Sequence, residues 1–268
     1  FLNPAAQAMA VARKIKEKYL KRFGRVTDRL PLRLGLVYFR RRTPLTAVLD
    51  AGRRFLNMPP DWEEWKVSAD GFPVEFSDDR RRFIHDYPAV MGDEETEDQW
   101  YPNLLLQNPT KSVQIKQCTG FDLEEHVWLR PSYFDYEYLD SAARRFEIAY
   151  SCRGQRNARL IRPYLLSELD DMHRIWQELE DGLETSQRHQ VIYSIESARA
   201  AWFDPDLQDS LTDEVFAQFV ADTLAGANWK TKWSNKLEAD RQLLIEAGAS
   251  GQLADLAELY MEIMGKAG

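Results

Sequence analysis

Apolar residues recur first with a helical period, then with a strand period, then helically again. Met9, Ala12, Ile15, Tyr19 and Phe23, spaced by three and four, predict a helix over 4–23. Asn3 reads as its cap, Pro4 as its first turn and Gly24 as its stop. Lys14, Lys18, Lys21 and Arg25 form a basic stripe on another face. RLPLRLGLVYF then predicts a strand, with Leu32, Leu34 and Leu36 facing one way and Val37 and Phe39 the other. Apolar on both sides at its end, it reads as a central strand covered on both faces. Arg40, Arg41 and Arg42 close it. Thr43 reads as the N-cap and Pro44 as the first turn of the next helix, with Leu45, Val48, Leu49, Gly52 and Leu56 as its buried stripe. Helix, strand and helix of this length suit an α+β palm better than a bundle.

The pattern changes after the connector at 57–60. WKVSA, residues 111–117 and residues 126–130 read as strands, and 77–110 as a long loop. A short helix is expected around 133–143, and RFEIAY pairs with ARLIRPYLL across Gly154 in an expected hairpin. Ser167 with Asp170 resembles a capping box. From there Met172, Trp176, Leu179, Leu183, Ile192, Ile195, Ala198 and Trp202 keep a helical spacing. Unbroken, that helix would be about 50 Å long at 1.5 Å per residue, and Gly182 is where it would kink. Shorter helices are expected near 212–227, 236–247 and 251–265, with Gly226, Gly248 and Gly251 as punctuation. The expected domains are 1–60, the C-terminal half of a palm; 61–165, a strand-rich extension; and 166–268, an α-helical domain.

Composition narrows the class. Of 268 residues, 44% are hydrophobic and 29% charged, as in a globular chain rather than a disordered one. No apolar run approaches the roughly 18–20 residues needed to span a bilayer, so no membrane is expected. Phe1 is not an initiator Met and no signal peptide follows, so the sequence reads as starting inside a longer chain. Cys118 and Cys152 form no CxxC pair; they exclude a disulfide framework and a thiolate zinc site and suit a cytoplasmic location. The net charge of −8 hides an asymmetry. Residues 1–60 hold 14 Lys and Arg against 3 Asp and Glu, a net of +11; the rest hold 21 against 40, a net of −19. The basic segment is a polyanion contact, a docking face for an acidic partner, or a solvated helix face.

Candidate chemistry is sparse. Asp93, Glu94, Glu95, Glu97 and Asp98 follow Gly92 without the spacing of a calcium loop, and read as a solvated acidic turn before a metal site. His85, His126, His173 and His189 show no metal-ligand spacing. No Gly-x-Ser-x-Gly elbow, phosphate-binding Gly-x-x-x-x-Gly-Lys or Gly-x-Gly-x-x-Gly occurs. Arg40, Arg41 and Arg42 could hold triphosphate or RNA phosphates, because guanidinium forks match phosphate oxygens. Arg53, Arg54, Arg144 and Arg145 either do the same or bridge Asp50 and Asp140 on their own helices. Tyr133, Phe134, Tyr136 and Tyr138 read as core before base-stacking rings, and Trp176 and Trp202 as core or interface anchors.

RLPLRLGLVYFRRRTPLTAVLDAGRRFL, then GDEETEDQWYPN (92–103), RPSYFDYEYLDSAARRFEIAY (130–150), RPYLLSELD (162–170) and the closing ELYMEIM together resemble the large palm-bearing subunit of type III CRISPR effector complexes. The resemblance spans nearly the whole chain. It implies the second half of a ferredoxin-like palm with added strands, followed by a helical domain resembling the complex's small subunits. It also implies guide RNA, target RNA, the small subunit and the repeat-binding subunit as partners. In the parent protein, ATP with Mg or Mn would be polymerised to cyclic oligoadenylate. Lys14, Lys18, Lys21, Arg40, Arg41 and Arg42 are the expected phosphate or RNA contacts. The family's chemistry depends on a Gly-Gly-Asp-Asp hairpin holding two metals, and this sequence has none, so no catalytic residue is assigned. A stand-alone palm-type cyclase using GTP and a non-enzymatic interaction scaffold remain the alternatives.

Overall fold

The computed structural model describes residues 2–27, 30–58, 63–68, 74–78, 81–85, 103–106, 112–114, 126–151, 155–156, 161–202 and 214–265. The fold is α+β. Residues 9–167 form one compact unit; residues 1–8 and 168–268 form the other.

In the first unit, α1 (Ala5–Phe23) leads through a 3-10 turn to β1 (Arg33–Phe39), and α2 (Leu45–Arg54) follows. Met9, Ala12 and Lys16 are the buried positions of α1, and Lys16 Nζ donates to Ser167 O at 2.9 Å. Ile15 and Tyr19 are half-buried, and Phe23 is 43% exposed. Tyr19 Oη donates to Leu30 O at 2.6 Å and lies 3.3 Å from Ser132 Oγ, which accepts from Leu32 N at 2.9 Å. These bonds fix the C-terminal half of α1 at the start of β1.

The expectation that β1 is central is corrected. Among the described residues the sheet order is β1, β8 (Tyr133–Leu139), β9 (Tyr164–Leu165), so β1 lies at an edge and β8 in the middle. β1 and β8 run parallel, from Arg33 opposite Tyr133 to Phe39 opposite Leu139; β9 is antiparallel to β8. Burial follows position in the sheet. Every residue of β8 but Tyr138 is buried, whereas Tyr38 alone is buried in β1. The helix expected at 133–143 is therefore strand and then a 3-10 turn, Ala142–Glu147. Four aromatic residues and a leucine favour the strand, and the parallel partner supplies its ladder. The expected hairpin around Gly154 falls partly outside the described residues. The described part holds a single antiparallel bridge, Tyr150 with Arg156, because Tyr164 and Leu165 pair with β8 instead.

The second sheet has the order β4-β3-β2-β7-β5-β6 and is antiparallel in every described pair. Its strands are β2 (Glu63–Ser68), β3 (Val74–Ser77), β4 (Arg82–His85), β5 (Asn103–Leu106), β6 (Ser112–Gln114) and β7 (His126–Leu129). The strands expected in WKVSA, 111–117 and 126–130 are present. The loop expected over 77–110 is interrupted by β4 and β5. Trp65, Val67, Val74, Phe76, Val127 and Leu129 alternate inward, the one-sided pattern of an antiparallel sheet packed on a core. They share that core with Ala51, Phe55, Met58, Tyr133, Leu139, Ile148 and Leu165.

α2 meets this core on a different face from the one expected. Ala47, Ala51 and, one turn on, Phe55 are buried, whereas Leu45, Leu49 and Leu56 are 61%, 54% and 67% exposed. Small side chains let the helix approach the sheet closely, and a Cβ on Gly35 of β1 would stand 2.4 Å from the Phe55 ring. Pro44, not Thr43, occupies the N-cap position, and no side chain caps the helix.

The other unit is helical. The long helix expected from 167 to 202 is two, α3 (Glu168–Gly182) and α4 (Thr185–Trp202). The break at Gly182 has a local cause: Lys230 N donates to Gly182 O at 2.8 Å, and a Cβ there would come within 2.6 Å of the Trp229 ring. α5 (Glu214–Ala225), α6 (Glu238–Ser250) and α7 (Gln252–Ala257) follow, and a π-helical segment, Glu258–Met264, prolongs α7. Trp176 is core and stacks on Tyr260 with centroids 5.0 Å apart; Trp202, 44% exposed, packs edge-on against Phe216. Gly251, at φ +93°, does separate α6 from α7, but Gly248 lies inside α6, where a Cβ would meet Val220 Cγ1 at 2.4 Å. No helix among the described residues is long and apolar enough to cross a membrane.

Gly248→Ala is expected to destabilise the chain by about 1–3 kcal/mol through overpacking, despite the better helix propensity of alanine. Val220→Ala should recover part of that loss in the double variant. Urea unfolding of the four chains measures both; an additive double variant would mean that the α5–α6 approach does not set the requirement.

Candidate functional site

Because β1 and β8 are parallel, their carboxyl ends, Phe39 and Leu139, lie at one edge of the sheet. The chain leaving Phe39 carries Arg40, Arg41 and Arg42 through a turn closed by Thr43 N donating to Arg40 O at 2.9 Å, and α2 opens at Leu45. Ligands of open parallel sheets bind beyond the carboxyl ends of strands, and helix N-termini favour anions. The three arginines are exposed but not equivalent. Arg40 Nε donates to Tyr138 Oη at 2.9 Å; that bond, with Asp140 nearby, raises its pKa further above an already high value. Arg41 and Arg42 have no ion-pair partner among the described residues, so their guanidinium forks face solvent.

The α1 lysines are exposed as well. Lys14 reaches Glu17 at 3.8 Å, and Lys18 and Lys21 have no ion pair among the described residues. They do not form one cluster with the arginine row. Tyr19 ties that half of α1 to the start of β1, and the row follows its end, about 20 Å away at strand rise. The Arg25 side chain and the acidic stretch 93–98 lie outside what the structure describes.

Of the candidates Arg53, Arg54, Arg144 and Arg145, three are engaged in ion pairs. Arg54 Nε donates to Asp50 at 2.9 Å and Arg145 Nε to the same carboxylate at 3.1 Å, joining α2 to the 3-10 turn. Their hydrogen bonds and charges lower the Asp50 pKa, that of Arg54 foremost. Arg144 reaches Asp140 at 3.7 Å and Glu137 at 3.0 Å. The local bridging reading therefore holds for Arg54 with Asp50 and Arg144 with Asp140, whereas Arg145 pairs with Asp50 on a different element instead of with Asp140. Arg53 alone of the four is exposed without an ion pair among the described residues.

A second group was not singled out by sequence reasoning. Asp135 and Glu137, two apart on β8, lie on one face of the strand and are buried, and Arg156 and Arg162 are buried with them. Arg156 Nη1 donates to Asp135 at 3.1 Å and its Nη2 to Glu137; Arg162 stands 3.9 Å from Asp135. Tyr150 Oη donates to Asp135 at 2.8 Å and Tyr136 N at 2.7 Å. Full burial pushes the Asp135 carboxyl up, against the pull of Arg156 and Arg162. Two acids in an aromatic run were the available signal, since buried carboxylates need partners. Both are taken by guanidinium groups, which makes the cluster structural. No group of three or more metal-ligating side chains stands together among the described residues.

A further network surrounds Tyr133. Its hydroxyl donates to Glu63 and accepts from Arg81 Nη1 at 2.9 Å, and Arg81 also holds Asp78 and lies 4.8 Å over the Trp65 ring. Burial, with Glu63 adding to it against the pull of Arg81, raises the Tyr133 phenol well above its ordinary value; burial and Asp135 do the same for Tyr150.

No protein family, curated protein or solved structure matches the chain significantly.

Arg156→Leu is expected to cost about 3–5 kcal/mol, because it strands two buried carboxylates. Adding Asp135→Asn and Glu137→Gln should return part of it, as read by denaturant midpoints. The tyrosines give a pH signature. Their folded pKa values exceed the unfolded value of about 10, so the stabilisation is complete below that pH and is lost as pH rises above it. Stability should fall by up to about 1.4 kcal/mol per pH unit for each group above pH 10. Tyr133→Phe with Tyr150→Phe should flatten that decline, and an unchanged slope would reassign it to other groups.

Proposed function

We propose that this chain is the C-terminal, RNA-proximal and scaffolding part of the large subunit of an RNA-guided type III CRISPR antiviral complex, acting in the cytoplasm. The observation that carries the RNA contact is the exposed pair Arg41 and Arg42 at the carboxyl edge of the parallel β1–β8 pair, beside the N-terminus of α2. The +11 charge of residues 1–60 supports it, with Lys14, Lys18 and Lys21 as a second, separate phosphate-facing strip. Guide RNA and target RNA are the polyanions, and the small and repeat-binding subunits are the protein partners.

The edge position of β1 changes what the palm reading rests on. A central β1 would have supported it directly, and that support is withdrawn. In its place stands a strand that lies at the sheet edge among the described residues, and strand edges invite another strand. In this reading the preceding half of the palm pairs there. ATP with Mg or Mn would belong to that half, which would supply oligoadenylate synthesis; no residue of this chain is assigned to the metals, and no chemical step is drawn through them.

The test is binding of a labelled single-stranded RNA of mixed sequence over a salt series. Arg41→Glu with Arg42→Glu is expected to weaken binding and to lower the slope of log affinity against log salt by about 1.4, from about 0.7 per phosphate contact on single strands. Including Arg40→Glu should add less, because Arg40 is already held by Tyr138. Unchanged affinity and slope would assign the row to solvated surface. Co-purification of a short guide RNA with the intact complex separates this reading from a stand-alone GTP-using cyclase.

A further inference from the structure

The helical unit holds a buried charge that its own side chains leave unbalanced. Arg188 lies in the first turn of α4 and is 9% exposed. The other buried arginines, Arg156 and Arg162, face carboxylates, whereas Arg188 has no ion pair among the described residues. Its Nη2 donates to Thr185 Oγ1 at 3.0 Å, and its Nε is buried without a hydrogen-bond partner. The guanidinium also lies 5.5 Å from the centroid of the Trp176 ring. A hydroxyl and a ring do not replace the water that a guanidinium with five N–H donors gives up on burial. An anion does.

The position of the group indicates which anion. Thr185 is exposed and opens α4, a helix of 18 residues, so the guanidinium comes to the surface beside the helix N-terminus. Arg188 N donates to Glu184 O at 3.0 Å; the amides of Thr185, Ser186 and Gln187 come before it and have no acceptor inside the helix. Amides at a helix N-terminus favour anions, and a guanidinium fork matches two oxygens of one anion. The Thr185 hydroxyl accepts from Arg188 and keeps its own hydrogen to donate. Glu184, next to it in the chain, reaches Lys230 at 3.6 Å and not Arg188. Trp176 in turn stacks on Tyr260 of the π-helical segment, a kind of segment that recurs at functional sites. We propose that Arg188, the Thr185 hydroxyl and the first-turn amides of α4 bind a phosphate monoester group. Such a group offers three oxygens and a charge of about −1.5 to −2 near neutral pH, which matches donors converging from three kinds of group. A carboxylate has two oxygens and one charge, and so does an internal phosphodiester.

The site is separate from the arginine row after β1, and the two fail independently. The test is a titration of the full chain with inorganic phosphate at constant ionic strength, followed through the backbone amide resonances of Thr185, Ser186 and Gln187. Saturable shifts are expected. Arg188→Met should weaken binding about tenfold or more, the loss expected for charge-assisted hydrogen bonds, and acetate should bind the parent at least as much more weakly. Thr185→Glu, at an exposed position, sets a carboxylate beside Arg188 and should abolish phosphate binding; it keeps the test open should Arg188→Met fail to fold. Arg41→Glu with Arg42→Glu should leave the three shifts unchanged. Two further probes separate the sources of the group. Tighter binding of glycerol 3-phosphate assigns it to a small metabolite, and tighter binding of a 5′-phosphorylated dinucleotide to a nucleic-acid end; either supports the site. The proposal is overturned by the absence of saturable shifts at these amides, by an equal response to acetate, or by undiminished binding in Arg188→Met or Thr185→Glu.

Discussion

Two carboxylates in the middle of a buried strand constrain the unit formed by residues 9–167. Asp135 and Glu137 lie on β8, which pairs with β1 along its whole length, and both are buried away from water. Unpaired ionised carboxylates there would cost several kcal/mol each. Arg156 meets both, Arg162 and Tyr150 meet Asp135, and Arg144 meets Glu137. The segment after β8 is thereby folded back on the strand it has just left, and β9 is delivered to its edge. The ion network adds little net stability over an apolar core, but it permits few other arrangements of that segment.

The same accounting separates structural from available charge on the surface. Of the arginines near the β1–α2 junction, Arg54 and Arg145 share Asp50, and Arg40 leans on Tyr138. Arg41, Arg42 and Arg53 are left facing solvent. A charge already held by a buried or half-buried partner has little to give a ligand, whereas an exposed, unpaired guanidinium keeps its fork geometry for phosphate or carboxylate.

α2 shows why an amphipathic pattern underdetermines packing. Its leucines and its alanines lie on neighbouring arcs, and hydrophobicity alone ranks the leucines first. The fold selects the alanines, because Gly35 and Phe55 require the helix close to β1, and close approach favours small side chains. Gly248 follows the same rule in the helical unit: it reads as punctuation in the sequence and serves as a contact point against Val220.

The sequence by itself determined the α+β class, the helices at both ends, three of the strands after the first two helices, the concentration of positive charge in the first sixty residues and the aromatic core of 133–138. Each of these follows from local period or composition, which a chain carries wherever it folds. The tertiary structure alone decided which strand is central, which face of α2 is buried, where the long helix breaks, and which arginines are engaged. Those outcomes depend on partners distant in the chain: Leu165 and Arg33 for β8, Phe55 for Gly35, Trp229 for Gly182, Asp50 for Arg145. Sequence spacing does not encode such pairings, and the free energy that selects them arises only when the surfaces meet.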